Sequence, residues 1–197
     1  MLKRIFDIVS ASAGLMVLTP LFVGIAIWIK LDSKGPIFYR QVRVGQRGKE
    51  FRIHKFRTMT VNADQHGQLT VGADQRITRS GHFLRRYKID ELPQMIDVVL
   101  GDMSVVGPRP EVPEFMACYP DDIRQHVLSV RPGMTDRASI EMVDENEILS
   151  QYDNPRQAYI DVVLPYKQKF YVDYVNSANF LDDLRIIFST IKKIIMR

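Results

Sequence analysis

The residues of this 197-residue chain best suited to chemistry are two adjacent carboxylates, Asp90 and Glu91 in the run IDELPQ, set among Arg85, Arg86 and Lys88. Neighbouring side chains on a helix diverge by about 100°, so the two acids have different tasks. They are not the carboxylate pair of a glycosidase, which faces across a sugar with a gap of about 5 Å or more. Two readings stand side by side. In one, Asp90 caps a helix, Glu91 is a first-turn acid favoured by the helix dipole, and Pro93 is a tolerated first-turn proline. In the other, the helix end and the nearby cations keep both carboxylates ionised, ready to act as nucleophile or metal ligand.

A second group is cationic. Arg109 stands between Pro108 and Pro110 in GPRP, where two fixed φ angles stiffen the loop around one guanidinium. It is suited either to a structural ion pair or to a phosphate clamp, since the planar fork matches phosphate oxygens and a stiff loop is cheap to order. Lys55 and Arg57 in KFRTM, Arg85, and Arg131 in RPG can join it in one phosphate-binding pocket, although each alone is an ordinary surface residue. Other chemistries are missing from the sequence: there is no P-loop, dinucleotide glycine fingerprint, HExxH or GxSxG. His54, His66, His82 and His126 are scattered without metal-ligand spacing, and the single Cys118 excludes an intramolecular disulfide or a Cys-based zinc site.

The elements that must position these groups begin with an apolar segment. Ile8 to Ile29 is 22 consecutive uncharged residues, enough to cover a bilayer core as a helix. Both flanks are basic, with Lys3 and Arg4 before and Lys30, Lys34, Arg40, Arg43 and Arg47 after, so both ends favour the cytoplasm. Pro20 near the centre predicts a kink or break, with Ser10, Ser12 and Thr19 able to satisfy freed backbone groups. These features fit a re-entrant helix broken at Thr19 and Pro20; a single spanning helix and a cleaved signal peptide are the alternatives. The signal peptide is the weakest, because the segment is long, lacks a small-x-small cleavage site and ends on Trp28 and Lys30, which resemble an interfacial anchor.

Charge is distributed to match. Residues 1–60 carry 11 Lys and Arg against 3 Asp and Glu, a net +8, while residues 61–197 carry 16 against 20, a net −4. A basic region beside an apolar one indicates an anionic surface, bilayer headgroups or nucleic acid. Farther along, 37–44 and 51–59 predict a basic β-hairpin reversing over GQRGKE, and the polar stretch 60–79 predicts a mobile loop. Helical patterning follows at 81–88 and at 91–100, the latter capped by Gly101. Short helices are predicted at 112–119 and 121–129, and a strand at 138–143. Residues 180–195 predict an amphipathic helix, packed on the core or lying in a membrane interface.

In combination these motifs resemble the small monotopic phosphoglycosyl transferases, the bacterial sugar transferase family. The resemblance rests on KRIFDIVSA with its central TP, FYRQVRVGQRGKEFRIHKFRTM, ITRSGHFLRR, IDELPQ, GDMSVVGPRP and VRPGMT, and runs nearly end to end. It implies an α+β, mainly helical fold with a re-entrant membrane helix and flanks at 1–34 and a catalytic domain at 35–197 ending in an amphipathic helix. It also implies a UDP-sugar donor, polyprenyl phosphate as acceptor, Mg²⁺, membrane lipid as partner and a place on the cytoplasmic face of the bacterial inner membrane. The residue matching Asp90 attacks the donor phosphate and releases UMP, the residue matching Glu91 is associated with the metal, and the lipid phosphate then takes the sugar phosphate.

No nucleic-acid partner is implied, and a homodimer stays open. Two departures stand out. Lys88 occupies a position where many members have Ser or Thr, and 136–142 reads DRASIEM where many continue GLAQVNG, which leaves the sugar preference undecided. Larger relatives carry extra spanning helices and a regulatory domain, so this chain looks like the catalytic unit alone. The competing classes are a non-catalytic basic membrane adaptor and a membrane-tethered nucleic-acid binder; neither requires an acidic dyad.

Overall fold

A computed structural model describes residues 2–63, 69, 72, 74–142, 145–177 and 179–196. The first element, helix α1 (Leu2–Asp32), would measure about 46 Å at the usual rise. The expected break does not interrupt it: the backbone is helical through Thr19 and Pro20. Proline removes one amide donor, the partner of the Met16 carbonyl, while the Thr19 hydroxyl donates to the Leu15 carbonyl at 2.7 Å. Packing at both ends of the helix holds it together across that lost bond.

At the N-terminal end, the buried Asp7 accepts hydrogen bonds from Ser104 Oγ (2.8 Å) and Val105 N (3.1 Å), and Ala11 packs with Phe51, Ile53, Val98 and Met103. Arg4 donates to the carbonyls of Val98 and Met103. At the C-terminal end, Ile25 and Ile29 are buried against Phe56 and Leu84, and Asp32 accepts from both the amide and the hydroxyl of Ser80. The middle faces outward: Met16, Val17, Leu21 and Val23 are exposed. A helix that is apolar all round and half unburied is seeking another apolar phase.

Short strands follow. β1 (Phe38–Tyr39) pairs antiparallel with β4 (Lys55–Phe56), and β2 (Val42–Val44) with β3 (Glu50–Arg52), in the register Val42 to Arg52 and Val44 to Glu50. Then come α2 (Arg79–Arg86), capped by Thr78, a single 3₁₀ turn at Ile89–Glu91, and α3 (Gln94–Leu100), closed by Gly101 at φ +99°. β5 (Ser104–Val106) lies parallel to β6 (Gly133–Thr135). The remaining helices are α4 (Pro113–Met116), α5 (Asp121–Val127), α6 (Arg137–Glu141), α7 (Glu145–Ser150), α8 (Pro155–Ala158), α9 (Leu164–Ser177) and α10 (Phe180–Ile195), with a π turn at Tyr159–Val163 between α8 and α9. Among the described residues the fold is thus mainly helical with three small sheets.

The strand expected at 138–143 is instead helix α6, because Asp136 accepts from the Ser139 amide at 2.9 Å and so satisfies a first-turn donor; Val143 lies outside the described residues. Of the loop at 60–79, Gly67 and His66 also lie outside them. Its base is pinned by a bridge between Met59 and Ile77 and by Arg76, which pairs with Asp74 and donates to the carbonyls of Ala63 and Leu69. The C-terminal core gathers Val112, Phe115, Tyr159, Val163 and Leu164.

Candidate active site

Lys88 has φ +55°, a left-handed conformation uncommon for a side chain of its size. From it the chain turns once as a 3₁₀ helix, so Asp90 is not the N-cap of a longer helix; Pro93 takes the position before α3. Asp90, 8% exposed, therefore faces a cavity of about 1000 Å³ together with Glu91, Lys55, Arg85, Arg109 and Arg43.

Glu91 is the electrostatic hub. Its Oε1 accepts from Lys55 Nζ at 2.8 Å and is paired with the Arg109 guanidinium. Burial alone would push Glu91 up, but Arg109 and Lys55 outweigh it and hold the carboxyl well below the usual range. Asp90 behaves oppositely. Burial, and then the charge of Glu91, raise it to about 6 against the pull of Lys55, Lys88 and Arg85. Its Oδ1 is buried without a hydrogen-bond partner, a costly state for a carboxylate oxygen unless a ligand completes it. Burial lowers Lys55 to about 8 despite Glu91, while Glu91 raises Arg109 above its ordinary value.

Arg109 is held by close backbone contact as well as by its prolines. A Cβ on Gly133 would come within 2.1 Å of the Gly107 nitrogen, and one on Gly107 within 2.6 Å of the Arg131 carbonyl oxygen. Only glycines let the GPRP and RPG loops lie back to back, with Gly133 N donating to Pro108 O at 2.8 Å.

The candidate phosphate-binding residues divide accordingly. Lys55 and Arg109 meet at the dyad, and Arg85 lines the same cavity, with its Nε donating to Thr58 Oγ1 at 2.9 Å. Arg57 also borders the cavity, but its guanidinium is committed to the chain leaving α1. Nε donates to Pro36 O (2.6 Å), Nη1 to Ser33 Oγ and Lys34 O (2.9 Å each), and Nη2 to Ser33 O (2.9 Å). Arg131 is exposed, does not line the cavity, and donates to the Gly101 carbonyl at 2.9 Å.

Sequence reasoning missed Arg43 as a cavity residue, having taken it as a membrane-flanking charge. Its Nη1 donates to Pro110 O and its Nη2 to Gln41 Oε1, while Nε is buried without a partner. It missed Glu111, Tyr159 and Lys167 as well; nothing local marks residues so far apart in sequence.

Among the described residues no three His, Cys, Asp or Glu side chains gather into a metal cage. The dyad nevertheless suits Mg²⁺, which is held by one or two carboxylates completed by waters and substrate phosphates. Glu91 is kept ionised, and the unpartnered Asp90 Oδ1 is an oxygen in want of a cation or donor.

Comparison with known proteins gives the family. The sequence profile described as "Bacterial sugar transferase" matches residues 1–197. The chain is 36% identical over 197 residues to a UDP-N-acetylgalactosamine-undecaprenyl-phosphate N-acetylgalactosaminephosphotransferase of Aeromonas hydrophila, covering 98% of this chain and 44% of that protein. It is 38% identical over 199 residues to the exopolysaccharide production protein PSS of Rhizobium leguminosarum bv. phaseoli, covering 96% and 93%. It is 35% identical over 197 residues to a UDP-glucose:undecaprenyl-phosphate glucose-1-phosphate transferase of Escherichia coli (strain K12), covering 98% and 40%. The match extends through the whole chain, the acidic turn and both arginine-bearing loops included, and the chain belongs to the bacterial sugar transferase family.

Proposed function

We propose that this chain moves a sugar phosphate from a UDP-sugar to undecaprenyl phosphate, with Asp90 as nucleophile. The observation that carries the proposal is the asymmetry of the dyad: one carboxylate clamped and ionised by two cations, its neighbour buried with an oxygen left unpartnered. The relatives' names supply the donor and acceptor classes. A carboxylate oxygen of Asp90 attacks the sugar-bearing phosphorus, the bond from that phosphorus to the bridging oxygen breaks, and UMP leaves with the electron pair. An oxygen of the lipid phosphate then attacks the aspartyl phosphosugar, restoring the carboxylate and giving polyprenyl diphosphate sugar. Lys55, Arg85 and Arg109 neutralise and orient phosphate oxygens, which is most of what phosphoryl transfer asks of a protein. Glu91, with phosphate oxygens, would hold Mg²⁺, and the ion when bound offsets charge on the donor diphosphate.

In this reading the protein is monotopic. α1 is long and apolar enough to cross a membrane, yet both its ends are tied to one globular body, through Asp7 and Arg4 at the start and Ile29 and Asp32 at the end. That supports a helix which enters the cytoplasmic leaflet and keeps both ends on one side. Exposed Leu100 of α3 and Leu181, Phe188 and Ile191 of α10 extend the apolar surface.

The test is UMP release from a panel of UDP-sugars with undecaprenyl phosphate in nanodiscs, together with capture of a radiolabelled sugar-phosphate adduct. Asp90→Asn should abolish the adduct; its retention at wild-type level would refute the nucleophile. The adaptor reading predicts no UMP from any donor. For topology, single cysteines at Lys3 and Lys34 in a Cys118→Ser background should label from the same side, and labelling from opposite sides would refute the monotopic reading.

A further inference from the structure

The cavity has a second polar wall, which the phosphate chemistry does not use. Glu111 follows Arg109 by two residues, so their Cα atoms are within about 7 Å. Both Glu111 oxygens accept from the Tyr159 hydroxyl, at 3.0 and 3.1 Å. Lys167 Nζ donates to that same hydroxyl at 3.2 Å and pairs with Glu145 at 2.6 Å. Glu111 and Tyr159 are each 3% exposed and Lys167 6%, and all three line the cavity. Beside them the Arg43 Nε is buried with no partner.

Tyr159 enters this network from the π turn at Tyr159–Val163. Such turns are rare interruptions of a helix and are found disproportionately at functional sites. Ser139 of helix α6 and Met142, just past its end, also line the cavity.

We infer that this wall is the subsite for the donor's sugar ring, and that Tyr159, Glu111 and Lys167, with Met142 shaping the edge, determine which sugar is accepted. The inference rests on the transferase reading above. Its first support is position. The hexose is bonded to the phosphate that Asp90 attacks, so the ring must lie next to the dyad, and the wall begins one residue beyond the Pro108-Arg109-Pro110 loop. Its second support is charge. The dyad end offers Lys55, Arg85 and Arg109 to anions, whereas this wall sets two carboxylates, Glu111 and Glu145, beside a hydroxyl and an ammonium. With the Arg43 guanidinium beside it, that mixture carries no net charge, unlike the cationic dyad end, and suits a neutral ring whose hydroxyls both donate and accept.

Its third support is the relatives. One named for N-acetylgalactosamine and one named for glucose are 36% and 35% identical to this chain, so overall identity points to neither sugar and the choice is to be sought in the side chains of the site. A site that hydrogen-bonds a particular hydroxyl rejects a ring lacking it far more strongly than a hydrophobic pocket rejects a missing methylene.

The test uses the full chain in nanodiscs with undecaprenyl phosphate and four donors: UDP-glucose, UDP-galactose, UDP-N-acetylglucosamine and UDP-N-acetylgalactosamine. Tyr159→Phe should change the ratio of kcat/KM between the best donor and the next by about tenfold or more, with inhibition by UMP unchanged within about twofold. Should Tyr159→Phe fail to fold, Met142→Ala asks the same question by widening the wall, and should raise the relative rate with the N-acetylated sugars. An active chain whose donor ratios ignore the variants, or whose UMP inhibition weakens in step with kcat/KM, would overturn the subsite alone. Absence of UMP release from every donor by the unmodified chain would overturn the transferase reading and the subsite with it.

Discussion

Arg57 is expected from sequence to bind substrate phosphate; it borders the cavity, but its guanidinium is bonded to the chain leaving α1, and one substitution separates the two tasks. Its guanidinium makes four hydrogen bonds to residues 33–36, three of them to carbonyls where the chain leaves α1. A net contribution of about 1 kcal/mol for each bond is the cautious figure, because Lys34 and Pro36 are exposed and their carbonyls can find water once released. Arg57→Ala should therefore cost about 3–4 kcal/mol. For a chain of this size that lowers the melting midpoint by about 10 °C. Arg57→Lys keeps the charge but reaches one or two of the four acceptors, and should lose about half as much.

The assay is thermal unfolding in detergent, paired with the KM for UDP-sugar measured well below the midpoint. The geometry requires a large stability loss with KM within about twofold in both variants. A phosphate contact would give the reverse: an unchanged midpoint, KM raised tenfold or more in the alanine variant, and partial rescue by lysine. That second pattern would refute the clamp.

Lys55 titrates at about 8, lowered by burial, so kcat/KM should fall as pH rises through that value, and Lys55→Arg should carry the alkaline limb higher; an unmoved limb would remove Lys55 from the profile. Stability runs the other way, because an unfolded lysine keeps its proton to the usual 10.5. Between those values the unfolded chain binds more protons, so the contribution of Lys55 to folding becomes more favourable as pH rises, which denaturation midpoints across that window would register. Gly133→Ala puts a Cβ into the Gly107 backbone; it should cost about 3 kcal/mol or more and reduce adduct formation, and a midpoint within 2 °C of wild type would contradict the back-to-back loops. Asp7→Asn weakens acceptance from Ser104 and Val105 at a buried site, with an expected loss of about 1–3 kcal/mol in detergent denaturation and none in vesicle binding.

How much of this was legible in sequence depends on the range of each interaction. Helix α10 begins and ends where its apolar periodicity does, and the C-cap of α3 was readable because Gly101 adopts the positive φ that glycine allows. The dyad and Arg109 were readable because residue type, spacing and proline flanks are all local. The task of Arg57 was not, because its acceptors lie more than 20 residues away and are backbone atoms, which leave no mark on residue identity. The strand expected at 138–143 failed to a cap: one Asp136 side chain outweighs the β propensity of a short apolar run. Tyr159 and Glu111 are 48 residues apart and meet only through the helices between them. Of the kink or break inferred at Pro20 from a lost hydrogen bond, the break does not occur, because a helix seated at both ends tolerates one missing donor.

That double seating ties the apolar helix to the candidate site. Lys55 sits on β4 beside Phe56, and Phe56 packs on Ile25 and Ile29 near the end of α1. Arg109 follows β5, and β5 is fixed through Ser104 and Val105 to Asp7 near the start of the same helix. The two cations that clamp Glu91 are thus mounted on opposite ends of α1, one through an apolar contact and one through hydrogen bonds to a buried carboxylate. A rigid helix fixes the distance between its own ends, so the spacing of the two mounts is set by the element with the exposed apolar middle. The apolar helix is then structural to the candidate site, and losing either seat should disturb the clamp on Glu91.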